Sequence, residues 1–246
     1  MEAPSNLRVA LIPAGQGIRA SKTHKYLNPE GVCWHWTANV RPGANAEMHR
    51  RYFHNAENGT HYVLDDKEII HLVPETEVVW HAGPDYLLSK EIKKKYPRGT
   101  NLSLIGVEIC VNQDRNEKKT YENAVALGVY LCQKYNWDPE KDFVRHYDCT
   151  GKDCPQFWTK YVPGGEQAWA DFKKEVKRRL VNTAKVKTRT ETVVDTKVYL
   201  DGKLKGEGII VNNISYLPVR AMENTPPFKV EKFVNETKSV YLKSIK

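Results

Sequence analysis

The sequence predicts an α/β or α+β domain with helices packed on a sheet, followed by a small strand-rich module. Residues 104–111 form a short apolar run that is typical of a buried strand. Residues 120–135 and 164–181 repeat apolar side chains at helical spacing. Residues 183–192 are polar and lack aromatic side chains, which predicts a linker, and turn signals between short apolar runs follow it.

The elements of the first domain alternate between helix and strand. Residues 44–56 predict a helix, and residues 61–73 predict a hairpin that turns at 65–67. The buried strand comes next, and Thr120 can cap the helix that follows it. A second helix at 164–181 completes this part of the chain. We therefore expect a first domain at residues 1–182.

The remainder, residues 193–246, predicts a separate module of hairpins. An Asp-Gly pair and an Asn-Asn pair mark its turns at 201–202 and 212–213. Residues 183–246 carry 12 basic and 7 acidic residues, a net charge of +5, whereas the preceding 182 residues carry 26 and 23, a net of +3. The smaller part therefore holds most of the excess positive charge.

Composition excludes several classes of protein. The chain has 246 residues, of which 40% are hydrophobic and 28% charged, so global disorder is not expected. No apolar run approaches the ~20 residues that span a bilayer. The N-terminus lacks a basic start and an apolar core, so no secretory signal is expected. The net charge of +8 suggests an anionic partner: nucleic acid, an acidic membrane or an acidic wall polymer.

Five cysteines, an odd number, favour thiol or metal chemistry over a disulfide framework. Three segments hold residues suited to such chemistry: His35 in CWHWTAN, His146, Lys152 and Cys154 in RHYDCTGKDCP, and Glu108 inside the apolar run. A carboxylate among buried side chains is costly unless it is paired or functional. Each segment also has a simpler interpretation: a structural histidine, a surface loop, or a strand residue that faces solvent.

Taken together, these residues form a coherent metal site. Two imidazoles and a thiolate suit zinc, with a fourth position left for water, as in catalytic zinc sites. The same donors also suit blue copper, but that centre wants a nearby axial Met, and none accompanies the loop. A lysine and a glutamate beside the metal favour hydrolysis over electron transfer.

Four motifs in this order resemble the zinc N-acetylmuramoyl-L-alanine amidases, the T7 lysozyme-like family that is related to the peptidoglycan recognition proteins. They are HWTAN, THYVLDDKEIIHLVPETEVVWHAG, LIGVEIC and HYDCTGKDCP. The resemblance spans roughly residues 8–180 and implies a mixed central sheet flanked by helices. The GANA sequence at 43–46 resembles endolysins of phages that infect clostridia and bacilli.

Carried over by position, the resemblance implies His35, His146 and Cys154 as zinc ligands. It implies Glu108 as the acidic general base and Lys152 as the partner of the oxyanion. The expected reaction is hydrolysis of the amide bond between N-acetylmuramic acid and L-alanine, so peptidoglycan is the expected substrate.

One position departs from the T7-type enzymes, which carry a catalytic Tyr where this chain has Thr60. A mechanism based on that Tyr is therefore in doubt, and Glu108 is expected to be the main catalytic residue. His61, Trp80 and His81 also match family positions, and we expect them to serve a structural role or to bind and shape the substrate, rather than to take part directly in the chemistry. The remaining cysteines are expected to be buried or incidental thiols: Cys33, Cys110, Cys132 and Cys149.

Three alternative functions stay open. A recognition protein that binds without catalysis would lack a zinc ligand, and no ligand is missing. A nucleic-acid-binding protein would explain the charge, but the sequence has no recognition motif, so no nucleic acid is expected. A host autolysin is the third. The expected absence of a signal fits an endolysin made in the host cytoplasm that acts on the wall after release.

The C-terminal module faintly resembles the small module named after the N-terminal domain of amine oxidases. It contains no His or Cys, so no copper is expected there. Its positive charge leads us to expect a cell-wall-binding domain at 193–246 that attracts anionic wall polymers. A solvated, charged surface is the simpler alternative.

Overall fold

The structure, a computed structural model, describes residues 2–19 and 26–189, and further on the backbone of five strands. By its internal contacts the chain divides into two units, Met1–Leu180 and Val181–Lys246. The strands of the first unit are β1 (Leu7–Val9), β2 (Gly31–Trp36), β3 (Tyr62–Leu64), β4 (Ile69–His71), β5 (Leu104–Ile109) and β6 (Phe143–Arg145). Its helices are α1 (Ala46–Phe53), α2 (Lys90–Lys95), α3 (Glu117–Tyr135), α4 (Pro139–Asp142), α5 (His146–Thr150) and α6 (Gly165–Arg189).

The six strands form one mixed sheet in the order β1-β4-β3-β5-β2-β6. Only the β3–β4 hairpin is antiparallel, and every other neighbouring pair is parallel. The central strands β2 and β5 are almost entirely buried, as expected for parallel strands covered on both faces. The predicted α/β class, a mixed sheet flanked by helices, is confirmed.

Aromatic side chains fill the core between the sheet and helices α3 and α6. Trp34 of β2 packs edge-on against Phe143, Trp158 and Phe172, with ring centroids 4.9–6.1 Å apart. A second apolar cluster around Val63 lies beneath α1 and includes Phe53 of that helix. Both faces of the sheet are therefore buried. This packing holds the ends of the strands in place, and the candidate site described below lies at those ends.

The predicted hairpin at 61–73 is present as β3 and β4. Its turn depends on Asp65, whose Oδ1 accepts from the backbone N–H groups of Lys67 and Glu68. The other oxygen of the same carboxylate accepts from the N–H of Ala46, at the start of α1. One buried carboxylate thus links the hairpin to the helix beside the groove described below.

Two predicted helix boundaries differ from the structure. Helix α3 begins at Glu117, and its N-cap is Asn116, whose side chain accepts from the N–H of Lys119. Thr120 lies inside the helix and donates its hydroxyl to the Asn116 carbonyl, because the earlier Asn is the better cap. Helix α6 continues to Arg189, so the first residues of the predicted linker at 183–192 are helical.

The strands described in the second unit are β7 (Val194–Leu200), β8 (Lys203–Val211), β9 (Ile214–Tyr216), β10 (Phe228–Val234) and β11 (Ser239–Ser244). They form a five-stranded sheet in the order β10-β11-β7-β8-β9. The β11–β7 pair is parallel, and the other pairs are antiparallel. The turns predicted at 201–202 and 212–213 lie outside the described residues.

None of the helices in the described part of the chain is both long and apolar enough to cross a membrane.

Candidate metal centre

The three predicted ligands meet at the carboxyl edge of the sheet. In the parallel pair of β2 and β6, Trp34 is in register with Arg145, so the next residues are His35 and His146. His35 Nδ1 lies 3.1 Å from His146 Nδ1 and 3.7 Å from the Sγ of Cys154. All three side chains are buried. Residues 119 positions apart in the sequence thus present their donor atoms to one point.

The spacing of these donor atoms fits one tetrahedral ion. Zinc bonds of about 2.1 Å to nitrogen and about 2.3 Å to sulfur put two nitrogens about 3.4 Å apart, and nitrogen and sulfur about 3.6 Å apart. Burial lowers the pKa of His146 to about 4 and that of His35 well below its usual value, so both rings are neutral. Neutral imidazole is the form that binds metals.

Burial raises the pKa of the Cys154 thiol to about 12 in the chain without an ion. A bound divalent cation reverses that preference, because its charge stabilises the thiolate. The donor set therefore suits a cation that accepts both nitrogen and sulfur, and metal binding and loss of the thiol proton are coupled.

His81 determines which nitrogen of His35 faces this point. The Leu104 carbonyl can only accept, so His81 Nε2, 3.1 Å away, carries a proton and donates. Burial lowers the pKa of His81 to about 3, so its Nδ1 is unprotonated and accepts from His35 Nε2, 3.0 Å away. The Nδ1 lone pair of His35 is thereby left for a metal. His81, which was predicted to bind or shape the substrate, lines the groove described below and also orients the predicted ligand His35.

Two residues hold His81 in place. The Asn101 side chain accepts from the N–H groups of His81 and Ala82, each at 2.8 Å, and donates to the Gly83 carbonyl. Gly106 of β5 leaves room for the ring, since a Cβ there would lie 2.9 Å from His81 Cγ. Sequence reasoning missed Asn101, which lies before a strand and outside every motif.

His61 does not lie where a substrate residue should. Its side chain is 0% exposed, and both ring nitrogens are occupied. Nε2 donates to the Glu77 carbonyl at 2.8 Å, and Nδ1 accepts from the N–H of Gly106 at 3.0 Å. Through these bonds His61 joins β5 to the 74–80 loop, which favours the structural alternative over the substrate-shaping one.

Glu108 of β5 is in register with His35 of β2, so their side chains share one face of the sheet. The carboxylate is partly buried, and its Oε2 has no hydrogen-bond partner among the described residues. Burial raises the pKa of Glu108 to about 8, against the opposing effect of the Lys152 ammonium. A carboxyl group with this pKa can take up and release a proton near neutral pH.

Glu108 and Lys152 line one groove of about 420 Å³. The groove is also lined by His49 and Tyr52 of α1 and by Trp80 of another segment. His49 was missed by sequence reasoning: it is buried, and its Nε2 has no partner within the described residues. A neighbouring depression shares Trp80, His81 and Lys152 with the groove and includes His146.

Arg145 links the two segments that carry His146 and Cys154. Its guanidinium donates to Asp148 of α5 at 2.6 Å and to the Trp158 carbonyl in the turn after Cys154. The same group pairs with Glu166 of α6 at 3.1 Å. Sequence reasoning did not identify this role, because its partners meet only in the folded chain.

Comparisons with known proteins show what this chain is similar to. Residues 25–157 match the family model described as N-acetylmuramoyl-L-alanine amidase, Amidase_2. The N-acetylmuramoyl-L-alanine amidase BlyA of Bacillus subtilis (strain 168) is 36% identical over 174 residues, which are 64% of this chain and 45% of BlyA.

Two solved structures are similar over most of the first unit. The catalytic domain of XlyA, a Bacillus subtilis (strain 168) protein, is 30% identical with a TM-score of 0.57, over 70% of this chain and 99% of that one. A mutant endolysin from Bacillus subtilis is also 30% identical with a TM-score of 0.57, over 70% and 98%. The chain spans about half the length of the curated relatives that it matches most strongly.

Proposed function

The chain belongs to the N-acetylmuramoyl-L-alanine amidase family, and from this membership we propose that it hydrolyses the amide bond between N-acetylmuramic acid and L-alanine in peptidoglycan. One observation carries the proposal. The donor atoms of His35, His146 and Cys154 converge beside a groove that also contains Glu108 and Lys152. This set of groups is suited to metal-assisted hydrolysis of an amide.

Zinc is the metal that we propose for the site, because two imidazoles and one thiolate leave a fourth tetrahedral position open. When bound there, zinc supplies a Lewis acid and lowers the pKa of a water ligand towards ~7. His35 and His146 would hold the ion through Nδ1 as neutral rings, and the Cys154 thiolate would offset one of its two positive charges.

Glu108 serves as the general base in this mechanism. Its carboxylate takes a proton from the attacking water and then gives it to the nitrogen of the leaving L-alanine. Lys152 faces the same groove, and its ammonium stabilises the oxyanion of the tetrahedral intermediate. The assignment of these roles to Glu108 and Lys152 is consistent with Thr60, which by sequence resemblance stands where T7-type enzymes carry a catalytic Tyr and whose side chain is buried.

The groove offers a surface for the sugar and peptide on either side of the bond. Trp80 is 36% exposed and borders both depressions, so its ring can pack against the substrate near the scissile amide. We therefore retain Trp80 as a substrate-binding residue. His81 borders the same two depressions while holding His35.

The biological setting that we propose is host lysis by a phage endolysin, with a host autolysin as the alternative. The similarity to a solved Bacillus endolysin supports the first setting. In either setting the protein acts on the cell wall. We further propose that residues 193–246 form a wall-binding domain, whose net positive charge favours anionic wall polymers.

Mass spectrometry of digested cell walls tests the function directly. Walls treated with the purified full chain should release stem peptides with a free amino group on L-alanine, while the glycan strands stay intact. Glu108→Gln serves as the matched control, because it keeps the size of the side chain and removes the base. New reducing sugar ends, or cuts within the stem peptide, would show that another bond is cleaved.

A further inference from the structure

Helix α2 and the turn before it form an exposed surface that combines lysines with apolar side chains. This α2 surface consists of Tyr86, Leu87, Lys90, Lys93 and Lys94. Tyr86 is 78% exposed and Leu87 52%, and both lie in the short helical turn Asp85–Leu87. The three lysines are exposed as well. No step of the proposed hydrolysis uses any of these residues.

Helical geometry places the three lysines on one face. Lys90, Lys93 and Lys94 have the spacing i, i+3 and i+4, which brings side chains together on an α-helix. The opposite face of α2 carries Ile92, which is buried in an apolar cluster together with Tyr96. Packing of Ile92 therefore directs the lysines away from the core. Like charges at this spacing repel one another, while the helix dipole favours Lys93 and Lys94 in the last turn of α2.

The lysines of the α2 surface have no acidic partner among the described residues. In the described part of the chain, Lys90, Lys93 and Lys94 form no ion pair within 4.0 Å, whereas most of the arginines do. Two acidic residues lie nearby in the sequence. Glu91 is exposed beside the lysines, and the Asp85 carboxylate lies against the backbone at Gly99, where a Cβ would be 2.4 Å from Oδ1.

The net positive charge of the first unit equals that of the segment 85–98, which contains the α2 surface. Residues 1–180 contain 26 basic and 23 acidic residues, a net of +3. Residues 85–98 contain five basic and two acidic residues, which is also +3, so the other residues of the unit balance at 21 of each sign. Within the segment, Arg98 pairs with Glu30, and Lys95 donates to the Lys141 carbonyl. Of the five basic residues in the segment, this leaves the three lysines of the α2 surface without an ion pair among the described residues.

The α2 surface continues from the candidate site along the chain. Gly83 and Pro84 line the depression that contains His146, and Tyr86 follows two residues later. The N–H of Ser89, at the start of α2, donates to the Cys149 carbonyl of α5, the helix that begins with His146. A polymer held on the α2 surface would therefore lie next to the groove.

We propose that the α2 surface binds a phosphodiester-linked anionic polymer of the cell wall and so holds the catalytic unit against its substrate. The inference rests on the proposed function, since a wall hydrolase meets such polymers where it works. Lysine ammonium groups bind phosphates as point charges and require no fixed geometry, which suits a flexible polymer. Tyr86 and Leu87 supply apolar contacts to its carbon chain that salt does not screen.

Two other polyanions fit this surface less well. An interfacial membrane helix needs a broad apolar face, and the α2 surface has only Tyr86 and Leu87. Specific nucleic-acid recognition depends heavily on arginine and on residues that reach base edges, and neither is present among these five residues. A wall polymer demands only phosphate contacts and limited apolar contact.

The test compares two variants of the full chain that remove the same charge. Lys93→Gln/Lys94→Gln removes two neighbouring lysines from the α2 surface. Lys118→Gln/Lys119→Gln, the control, removes two neighbouring exposed lysines from the first turns of α3, which form no ion pair among the described residues. The probe is soluble poly(glycerol phosphate), with binding measured by fluorescence anisotropy. RNA and anionic lipid vesicles serve as competing probes, and thermal unfolding verifies that both variants fold.

We expect Lys93→Gln/Lys94→Gln to weaken binding of the polymer by about three- to tenfold at low salt, as for two exposed charge contacts. The control should bind like the wild type. Equal loss in both variants, or no loss in either, overturns the proposal. So does tighter binding of RNA or vesicles through the same two lysines. Cleavage of a soluble muropeptide without phosphodiesters reports the groove alone, so failure of the proposed hydrolysis remains distinguishable from failure of this surface.

Discussion

His35 Nε2 lies 3.0 Å from His81 Nδ1, and this contact leaves the other nitrogen of His35 free for a metal. The chain of donors runs from His35 through His81 to the Leu104 carbonyl, an acceptor that cannot change its role. The Leu104 carbonyl of β5 therefore sets, through His81, the tautomer of His35, the predicted ligand on β2. Such contacts to the second nitrogen of a metal-bound histidine raise its basicity and fix its ring.

The first prediction follows from that contact. His81→Leu should lower zinc affinity by about 10- to 100-fold, because His35 loses the acceptor that fixes its tautomer. His81→Gln should lose less, since its amide oxygen can still accept from His35 Nε2. Competition with a chromophoric chelator measures both affinities. Equal affinities for His81→Leu and the wild type would show that His35 needs no such partner.

The second prediction concerns the metal itself. The purified chain should bind about one zinc ion per molecule, the number that one tetrahedral site accepts. A strong chelator should abolish wall lysis, and added zinc should restore it. Cys154→Ser should lose the metal, because a serine hydroxyl does not ionise as a thiol does. Elemental analysis measures the zinc content, and full activity in a verified metal-free sample would contradict the assignment.

The candidate site was predicted from the sequence better than its supports were. His35, His146 and Cys154 occur in motifs whose residue types, taken together, predict a metal site, and the structure places their donor atoms close together. Asn101 and Arg145 have no such signature, because their partners come from distant segments that meet only in the folded sheet. For His61 the motif left a structural and a substrate-shaping role open, and its hydrogen bonds to two backbone groups favour the structural one.

Element types were likewise easier to predict than element ends. The apolar run at 104–111 and the helical spacing in α3 and α6 identified a strand and two helices correctly. The start of α3 depended on Asn116 competing with Thr120 for one cap. The end of α6 was placed too early, because the polar composition of 183–189 resembles a linker although these residues continue the helix.

The third prediction separates catalysis from metal binding. Glu108→Gln should retain zinc and lose activity by on the order of 10²-fold or more, because the amide cannot accept the water proton. Lys152→Met should also retain zinc and lose activity, because the oxyanion loses a charged partner. Turnover of a soluble muropeptide and zinc content are measured together. Wild-type turnover by Glu108→Gln would assign the base to another group.

The fourth prediction concerns acid stability. Burial lowers the pKa of His61 to about 4, so between about 6.5 and 4 the unfolded chain takes up a proton that the folded chain does not. The stability that neutral His61 contributes is complete above about 6.5 and is lost as the pH falls through that window. Across this pH window, the contribution of His61 to the free energy of unfolding falls by up to about 3 kcal/mol.

Urea unfolding of the metal-free chain at several pH values tests this contribution. His61→Gln should be less stable than the wild type at pH 7, because one of two backbone groups loses its partner. The free energy of unfolding of His61→Gln should also fall less steeply between about pH 6.5 and 4. The slope should correspond to up to one proton fewer taken up on unfolding, and it does not vanish because the other buried histidines still titrate. Parallel curves for the two proteins would show that His61 does not resist protonation.

The fifth prediction concerns the first unit as a fragment. Truncation should follow Arg189 rather than residue 182, so that α6 keeps its full described length. Phe172 and Val176 of this helix are buried in the core of the first unit, so the fragment 1–189 should fold and bind zinc. It should also cleave a soluble muropeptide about as fast as the full chain, because Glu108 and Lys152 lie in this unit.

Wall binding of the same fragment separates the two proposed contributions. Loss of residues 193–246 should weaken attachment to walls, but the α2 surface stays in the fragment and should leave a residual affinity. The Debye length falls from about 10 Å at 0.1 M salt to about 3 Å at 1 M. The residual affinity of the fragment for walls should therefore decrease across this range of salt. A wall pull-down of fragment and full chain at both salt concentrations measures it. If the fragment binds walls as tightly as the full chain, then residues 193–246 are not a targeting module.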